Sequence, residues 1–328
     1  MSEQPVIETV NLSKHYGEFV ALHDMTLKVM RGQILGLIGP NGAGKTTTIK
    51  ILVGLSRPTA GQAFIAGADC TQDVRKIKQL VGYMPDKFGS YENMRVREYL
   101  DFFGAAFGIR SRVRKKRIEE VMDITDATYM QDRYVESLSH GMQQRVGIAR
   151  TLLHDPEVLI FDEPANGLDP KARVEMRELL LRLAGMGKTL IVTSHILPEL
   201  ARICDQVAIM SGGKLKASGS LAEIMKQVTQ ARLLEIQLNE EEQISGAEEV
   251  VRGFALEGDE VTTSLSERTV RIRTQRSEDQ WNDLVRNLVE AEIRLSQFRE
   301  IQTDLEDAYL SVTQSASQQD ENRSTAHV

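Results

Sequence analysis

Nine residues carry the first chemistry. Gly39-Pro40-Asn41-Gly42-Ala43-Gly44-Lys45-Thr46-Thr47 fits the spacing G-x-x-x-x-G-K-[ST]. The stretch lies between the apolar run 34–38 and a helix-patterned segment 48–55. In a strand–loop–helix context of this kind, backbone N–H groups and a helix N-terminus point together at an anion. Gly39, Gly42 and Gly44 let the chain turn tightly and approach phosphates closely. Lys45 is placed to reach β- and γ-phosphate oxygens, and Thr46 to offer its hydroxyl to magnesium. Alone, the loop serves a kinase, a GTPase or an ATPase; no N-K-x-D base-reading pattern follows, which disfavours GTP.

Further polar groups stand at the ends of apolar runs. Residues 158–161 are wholly apolar and lead to Asp162 and Glu163; residues 188–194 lead to His195; residues 81–84 stop at Pro85 with Asp86 behind. In an open parallel sheet, ligands gather beyond the carboxyl ends of the strands. Two adjacent carboxylates there are costly unless a cation or proton is shared, so a purely structural role fits them poorly. Asp86 is a candidate ligand for magnesium or its water. Ser139 is well placed as the N-cap of a helix running to residue 153, and that helix start is a second candidate anion site. Tyr16, in a turn ahead of the phosphate loop, offers a flat ring to a nucleotide base.

These groups need a scaffold. Residues 6–12 read as a strand and 19–29 as strand pieces with polar breaks. Residues 93–155 read as helical almost throughout, with Val96, Tyr99, Leu100, Phe103 and Phe107 on one face. Six of the eight residues 110–117 are basic, but no aromatics interleave and acids follow at helical spacing. They read as a solvated helix start, and nucleic acid is not an expected partner. Residues 165–170 form a turn from which Pro170 starts a helix.

Charge divides the chain. Residues 1–230 hold 30 Lys+Arg against 26 Asp+Glu, net +4, whereas 231–310 hold 9 against 19, net −10, and no lysine follows Lys226. That places a boundary near residue 225. Beyond it the order strand, helix, strand, strand, helix, strand suits a small α+β ferredoxin-like unit. Residues 303–306 cap a last short helix, and 315–328 are polar enough for a disordered tail. Cys70 and Cys204 stand alone without metal-ligand spacing. No apolar run approaches the roughly 18 residues of a membrane span, nor does the N-terminus carry a signal layout, so a soluble chain is expected.

Taken together, residues 6 to about 225 resemble the nucleotide-binding subunit of an ABC transporter. Residues 39–47 resemble its Walker A loop, 138–143 its signature, 158–163 its Walker B with the following glutamate, 167–170 its D-loop, and His195 its switch histidine. Order and spacing fit as well. The resemblance implies a P-loop NTPase of the α/β class with a mostly helical subdomain at about 88–155. Its domains would be 1–225 for ATP binding, 226–313 as the acidic accessory unit, and 314–328 as the tail.

It also implies ATP and Mg2+ as cofactors and a division of labour. Tyr16 would stack on adenine, with Asn41, Gly42, Gly44, Lys45, Thr46 and Thr47 around the phosphates. Thr46, Asp162 and Asp86 would hold magnesium, Glu163 polarise the attacking water, and His195 contact the γ-phosphate. Ser139, Gly141 and Gln143 would complete the site of a second copy, with Asp169 in the D-loop, so that ATP closes a head-to-tail dimer. With no span in the chain, a separate transmembrane permease is implied. The protein would then sit in the cytoplasm, peripheral on the inner face of the cell membrane.

Two departures stand out. Asp86 occupies a place commonly held by Gln, and His140 the first of two signature glycines. Residues 304–310 resemble the closing helix of ATPases serving exporters of the ABC-2 kind. A non-transport ABC ATPase acting as a nucleotide-driven switch is the alternative. Ribosome-associated members carry two cassettes and DNA-repair members a long coiled coil, and neither feature is read here.

Overall fold

The computed structural model describes residues 4–86, 89, 93–194, 200–228, 232–256 and 258–301. The chain divides into two compact units, Met1–Leu221 and Ala222–Val328. Among the expectations above, His195 and the segments 303–310 and 315–328 lie outside the described residues.

The first unit holds two sheets. The smaller is antiparallel, built from β1 (Ile7–Tyr16), β2 (Phe19–Val29), β4 (Ala60–Ile65) and β5 (Ala68–Asp69) in the order β2-β1-β4-β5. β2 is one continuous strand rather than separate pieces. Its polar interruptions coincide with shifts of register against β1, where Asn11 (φ 48°) and Asp24 (φ 53°) adopt left-handed conformations. Such residues build bulges into a strand without ending it. Tyr16 is the last residue of β1, facing Phe19 across the hairpin, and not part of the turn itself.

The larger sheet has the order β10-β9-β3-β8-β7-β6. Its members are β3 (Ile34–Ile38), β6 (Val81–Met84), β7 (Val158–Phe161), β8 (Thr189–Ser194), β9 (Gln206–Ser211) and β10 (Lys214–Ser220). All neighbours are parallel except β9 and β10. β3, β7 and β8 are buried along their whole length, as expected of parallel strands covered on both faces. Register brings their ends level: Ile38 lies opposite Ser194, and Met84 opposite Phe161. Everything that follows β3, β6, β7 and β8 therefore emerges at one edge.

Between the sheets runs α1 (Lys45–Leu52), whose Ile49, Ile51 and Leu52 join Leu12, Leu22, Leu37 and Ile160 in one buried cluster. α2 (Val74–Leu80) adds Ile77 to it. Residues 93–155 fold as α3 (Val96–Ala106), α4 (Ser111–Ile124) and α5 (His140–Leu152), with two short 3-10 turns between α4 and α5. The segment is thus less continuously helical than its apolar spacing implies, and left-handed Gly108 (φ 77°) and Asp126 (φ 51°) lie at the breaks.

Nor is the basic stretch 110–117 simply solvated. Arg114 lays its stem on Gly104, where a Cβ would meet its Cδ at 2.5 Å, and donates from Nε to Asp101 at 2.7 Å. Arg117 donates from Nη2 to the carbonyl of Leu152 at 2.7 Å, satisfying an orphan acceptor at the end of α5. Two of the six cations therefore hold helices together.

The second unit comprises β11 (Arg232–Leu238), α8 (Ile244–Phe254), β12 (Glu260–Ser264), β13 (Thr269–Thr274), α9 (Glu278–Glu290) and β14 (Leu295–Ile301), preceded by α7 (Leu221–Val228) at the division. Its antiparallel sheet has the order β12-β13-β11-β14, the ferredoxin-like arrangement. Leu234, Ile236, Val270 and Ile272 face Ala247, Val251, Leu284 and Leu288 in the core. On the opposite face Glu235, 4% exposed, accepts from Arg271 Nε at 2.7 Å and Arg299 Nη2 at 2.6 Å. Burial pushes its carboxyl up, but the two guanidiniums outweigh this and hold it below its ordinary value.

Candidate active site at the carboxyl edge of the parallel sheet

β3 runs straight into the phosphate loop, and the loop is shaped by its glycines. A Cβ at Gly39 would meet the Met210 carbonyl oxygen at 2.5 Å, and one at Gly44 (φ 104°) would meet Leu22 Cδ2 at 2.7 Å. Gly42 (φ 82°) differs: nothing lies within 4 Å of its Cβ position, so its backbone borders open space that an anion can enter. Asn41, Gly42 and Thr46 are exposed and Thr47 half-buried. α1 starts directly after Gly44 with no side chain capping its first N–H groups, which leaves them for a ligand.

Lys45 is buried, and its ammonium donates to the carbonyls of Gly39 (2.5 Å) and Pro40 (3.2 Å), folding back over its own loop. Burial pushes its pKa down, while Glu163 and then Asp162 pull it back up. The lysine and both carboxylates thus share one electrostatic neighbourhood.

Asp162 is only 7% exposed. Thr193, fully buried near the end of β8, donates from Oγ1 to Asp162 Oδ1 at 2.7 Å and accepts from the Glu163 N–H at 2.9 Å. Glu163 itself has φ 53°, the left-handed region that costs a non-glycine residue about 1–2 kcal/mol. Thr193 was not singled out from the sequence. Its signal was a β-branched hydroxyl next to the last residue of a buried strand, level with two carboxylates.

Asp86 follows β6. Burial raises the Tyr83 phenol to about 12, with Asp162 and Asp86 adding to the effect, so both carboxylates border Tyr83. Asp86 Oδ1 accepts from Asn166 Nδ2 at 3.5 Å. The carboxyl edge thereby brings Lys45, Asp162, Glu163, Thr193 and Asp86 together.

The second candidate anion site opens α5. Ser139 occupies the N-cap position, but its side chain makes no capping hydrogen bond, which corrects the simple capping expectation. Its exposed hydroxyl borders a cavity of about 330 Å³ shared with Gly141, Tyr129 and Asp169. Gln143 Nε2 donates to the Val135 carbonyl at 3.5 Å. Asp169 caps α6 (Pro170–Gly185), accepting from the Ala172 N–H at 2.8 Å, which is the reason that helix begins at Pro170. Tyr16 is 49% exposed, with Lys14 Nζ over its ring at 4.9 Å. Among the described residues no group of three or more His, Cys, Asp or Glu could hold a metal by itself. The thiols of Cys70 and Cys204 are pushed to about 12 by burial, which keeps them protonated and inert.

Comparison with known proteins decides what this arrangement belongs to. The sequence profile of the family described as "ABC transporter" matches residues 22–166. An uncharacterized ABC transporter ATP-binding protein of Nostoc sp. is 41% identical over 229 residues, 67% of this chain and 68% of that protein. The chain belongs to the ABC transporter ATP-binding family. Nod factor export ATP-binding protein I of Ralstonia nicotianae is 36% identical over 221 residues, 67% of this chain and 69% of that one. Among solved structures, an ATP-binding subunit of an ABC transporter is 31% identical with a TM-score of 0.62, covering 68% of this chain and 93% of that one. A dimeric bacterial ABC transporter cassette, MJ0796, is 26% identical with a TM-score of 0.59, covering 66% and 98%. The protein is an ATP-binding subunit of this family, an ATPase whose hydrolysis is coupled to transport. No helix among the described residues is long and apolar enough to cross a membrane.

Proposed function

We propose that two copies of this chain close head to tail around ATP and that hydrolysis drives export through a separate membrane permease. The convergence of Lys45, Asp162, Glu163 and Thr193 at one sheet edge carries the reading. Lys45 leaves its loop carbonyls for the β- and γ-phosphates. Tyr16 stacks on adenine, and Asn41, Gly42, Gly44 and Thr47 surround the phosphates with backbone donors.

Thr46, Asp162 and Asp86 offer an all-oxygen donor set, which suits Mg2+ as a hard cation that keeps part of its water shell. Bound there, magnesium supplies charge neutralisation across the phosphates. Glu163 accepts the proton of the attacking water, held toward it by the Thr193 and Asn166 contacts to its backbone. His195 contacts the γ-phosphate in this scheme.

The uncapped start of α5 presents Ser139 and Gly141 to the nucleotide of the other copy, with Gln143 and Asp169 beside them. The dimeric cassette among the relatives in structure supports this arrangement. The relative named for Nod factor export supports the direction of transport. A permease partner would hold the chain at the cytoplasmic face of the membrane, with residues 226–313 as an accessory domain.

Glu163→Gln tests the assignment. Hydrolysis falls by about a hundredfold or more, while ATP still binds and the dimer accumulates, read by light scattering with and without ATP. Unchanged hydrolysis would sink the catalytic role of Glu163.

A further inference from the structure

Both departures from the family pattern meet at one residue. Asn166 lies in the turn after β7, between Glu163 and Asp169. Its N–H donates to the Glu163 carbonyl at 3.1 Å, and its side-chain amide reaches Asp86 Oδ1 at 3.5 Å. Its carbonyl oxygen lies 2.9 Å from His140 Nε2, at the first turn of α5. The imidazole also rests on Gly167 (φ 69°), where a Cβ would stand 3.5 Å from its Cδ2. Since a carbonyl only accepts, Nε2 must carry the proton. The Gln144 amide, one turn along and 1% exposed, approaches the same nitrogen at 3.5 Å, while its Oε1 has no partner. Turning that amide over places Oε1 against the Nε2–H and gives the helix a second hold on the ring.

We infer that His140 is a positioning residue that pins the Asn166 turn to the start of α5 and so holds Glu163 in the strained conformation from which it acts on water. The inference rests on the catalytic role proposed for Glu163. A glycine at position 140 has no side chain with which to make this contact. His140 therefore joins, within one copy, the helix start that serves the partner's nucleotide to the carboxylate that serves its own. Asp86, on the other side of Asn166, receives the same constraint.

Two measurements test this on the full chain. Long-range 1H–15N spectra of the imidazoles report His140 as the Nε2–H tautomer; an Nδ1–H tautomer overturns the contact whatever the enzyme does. Single-turnover hydrolysis at saturating ATP is then compared with the affinity for a fluorescent ATP analogue. His140→Phe keeps a ring on Gly167 and removes the donor, and His140→Ala removes both. Each lowers the rate about five- to tenfold, with affinity changed less than about twofold. His140→Gln, which retains an N–H donor, recovers the rate to within about twofold. Wild-type rates in His140→Phe, a loss lying wholly in affinity, or no recovery by Gln in a folded variant would each overturn the positioning role. A wild-type chain with the Nε2–H tautomer and no hydrolysis overturns the Glu163 reading instead, and the positioning role with it, leaving only the contact.

Discussion

Replacing Thr193 by Val is the sharpest test of how the site is held together. The exchange keeps the β-branched shape inside a strand buried along its whole length and removes only the hydroxyl. That hydroxyl makes two bonds, to Asp162 Oδ1 at 2.7 Å and from the Glu163 N–H at 2.9 Å. Losing a hydrogen bond to a carboxylate costs about 1.5–3 kcal/mol, and leaving the Glu163 N–H without its acceptor costs a further 1–3 kcal/mol or so. The added methyl returns about 0.8 kcal/mol of apolar burial. The net is about 3 kcal/mol, which lowers the melting temperature of a unit this size by roughly 6–12 °C. Both carboxylates lose their anchor, so hydrolysis falls about 10- to 100-fold. Thr193→Ser retains the hydroxyl and sacrifices one methyl, and it keeps most of both properties. Calorimetry and a steady-state phosphate-release assay read the two effects. A Thr193→Val protein that melts within about 2 °C of wild type and turns over within about twofold of it refutes the reasoning.

Glu235 gives a pH-dependent expectation for the second unit. Its folded pKa lies below the ordinary 4.5, so the stability it contributes is fully present above about pH 4.5 and is lost as pH falls through the depressed value. Glu235→Gln costs about 2 kcal/mol at pH 7, at the lower end for a buried pair because both arginines are partly exposed. The difference from wild type shrinks at acid pH. Trp281, the one tryptophan of the chain, lies in α9 and reports urea unfolding of this unit by fluorescence; a midpoint difference that grows on acidification contradicts the assignment. Glu163→Gly relieves the left-handed strain at that position and raises the melting temperature of the first unit by a few degrees while abolishing hydrolysis. A lowered melting temperature would show that the Glu163 side chain, and not its strained backbone, dominates local stability.

What the sequence made legible follows from what is local. β3, β7 and β8 are continuous apolar runs because both faces are covered, and their polar ends announced Asp162, Glu163 and the phosphate loop. The six elements of the acidic unit came in readable order because each is short and bounded by turns. What stayed hidden depends on pairing across the chain. Thr193 looks like any strand threonine until β7 and β8 bring it beside Asp162, 31 positions away. Asn166 looks like turn chemistry until α5 and β6 close on it, with Asp86 80 positions distant. Arg114 and Arg117 read as solvated because their partners, Asp101 and the end of α5, lie outside the local charge pattern.

The backbone of Glu163 shows why such cross-chain contacts matter more here than residue type. A left-handed glutamate persists only where surrounding structure over-determines it. Its N–H is taken by Thr193 from β8, and its carbonyl by Asn166, whose own carbonyl is taken by His140 from α5. Each contact alone is worth about 1 kcal/mol, comparable to the strain itself, so no single one is sufficient. The direction of the carboxylate is therefore a joint property of the parallel sheet and of the helix that serves the partner. A displacement of α5 on dimer closure reaches Glu163 through the Asn166 turn without any movement of the strand that carries Asp162.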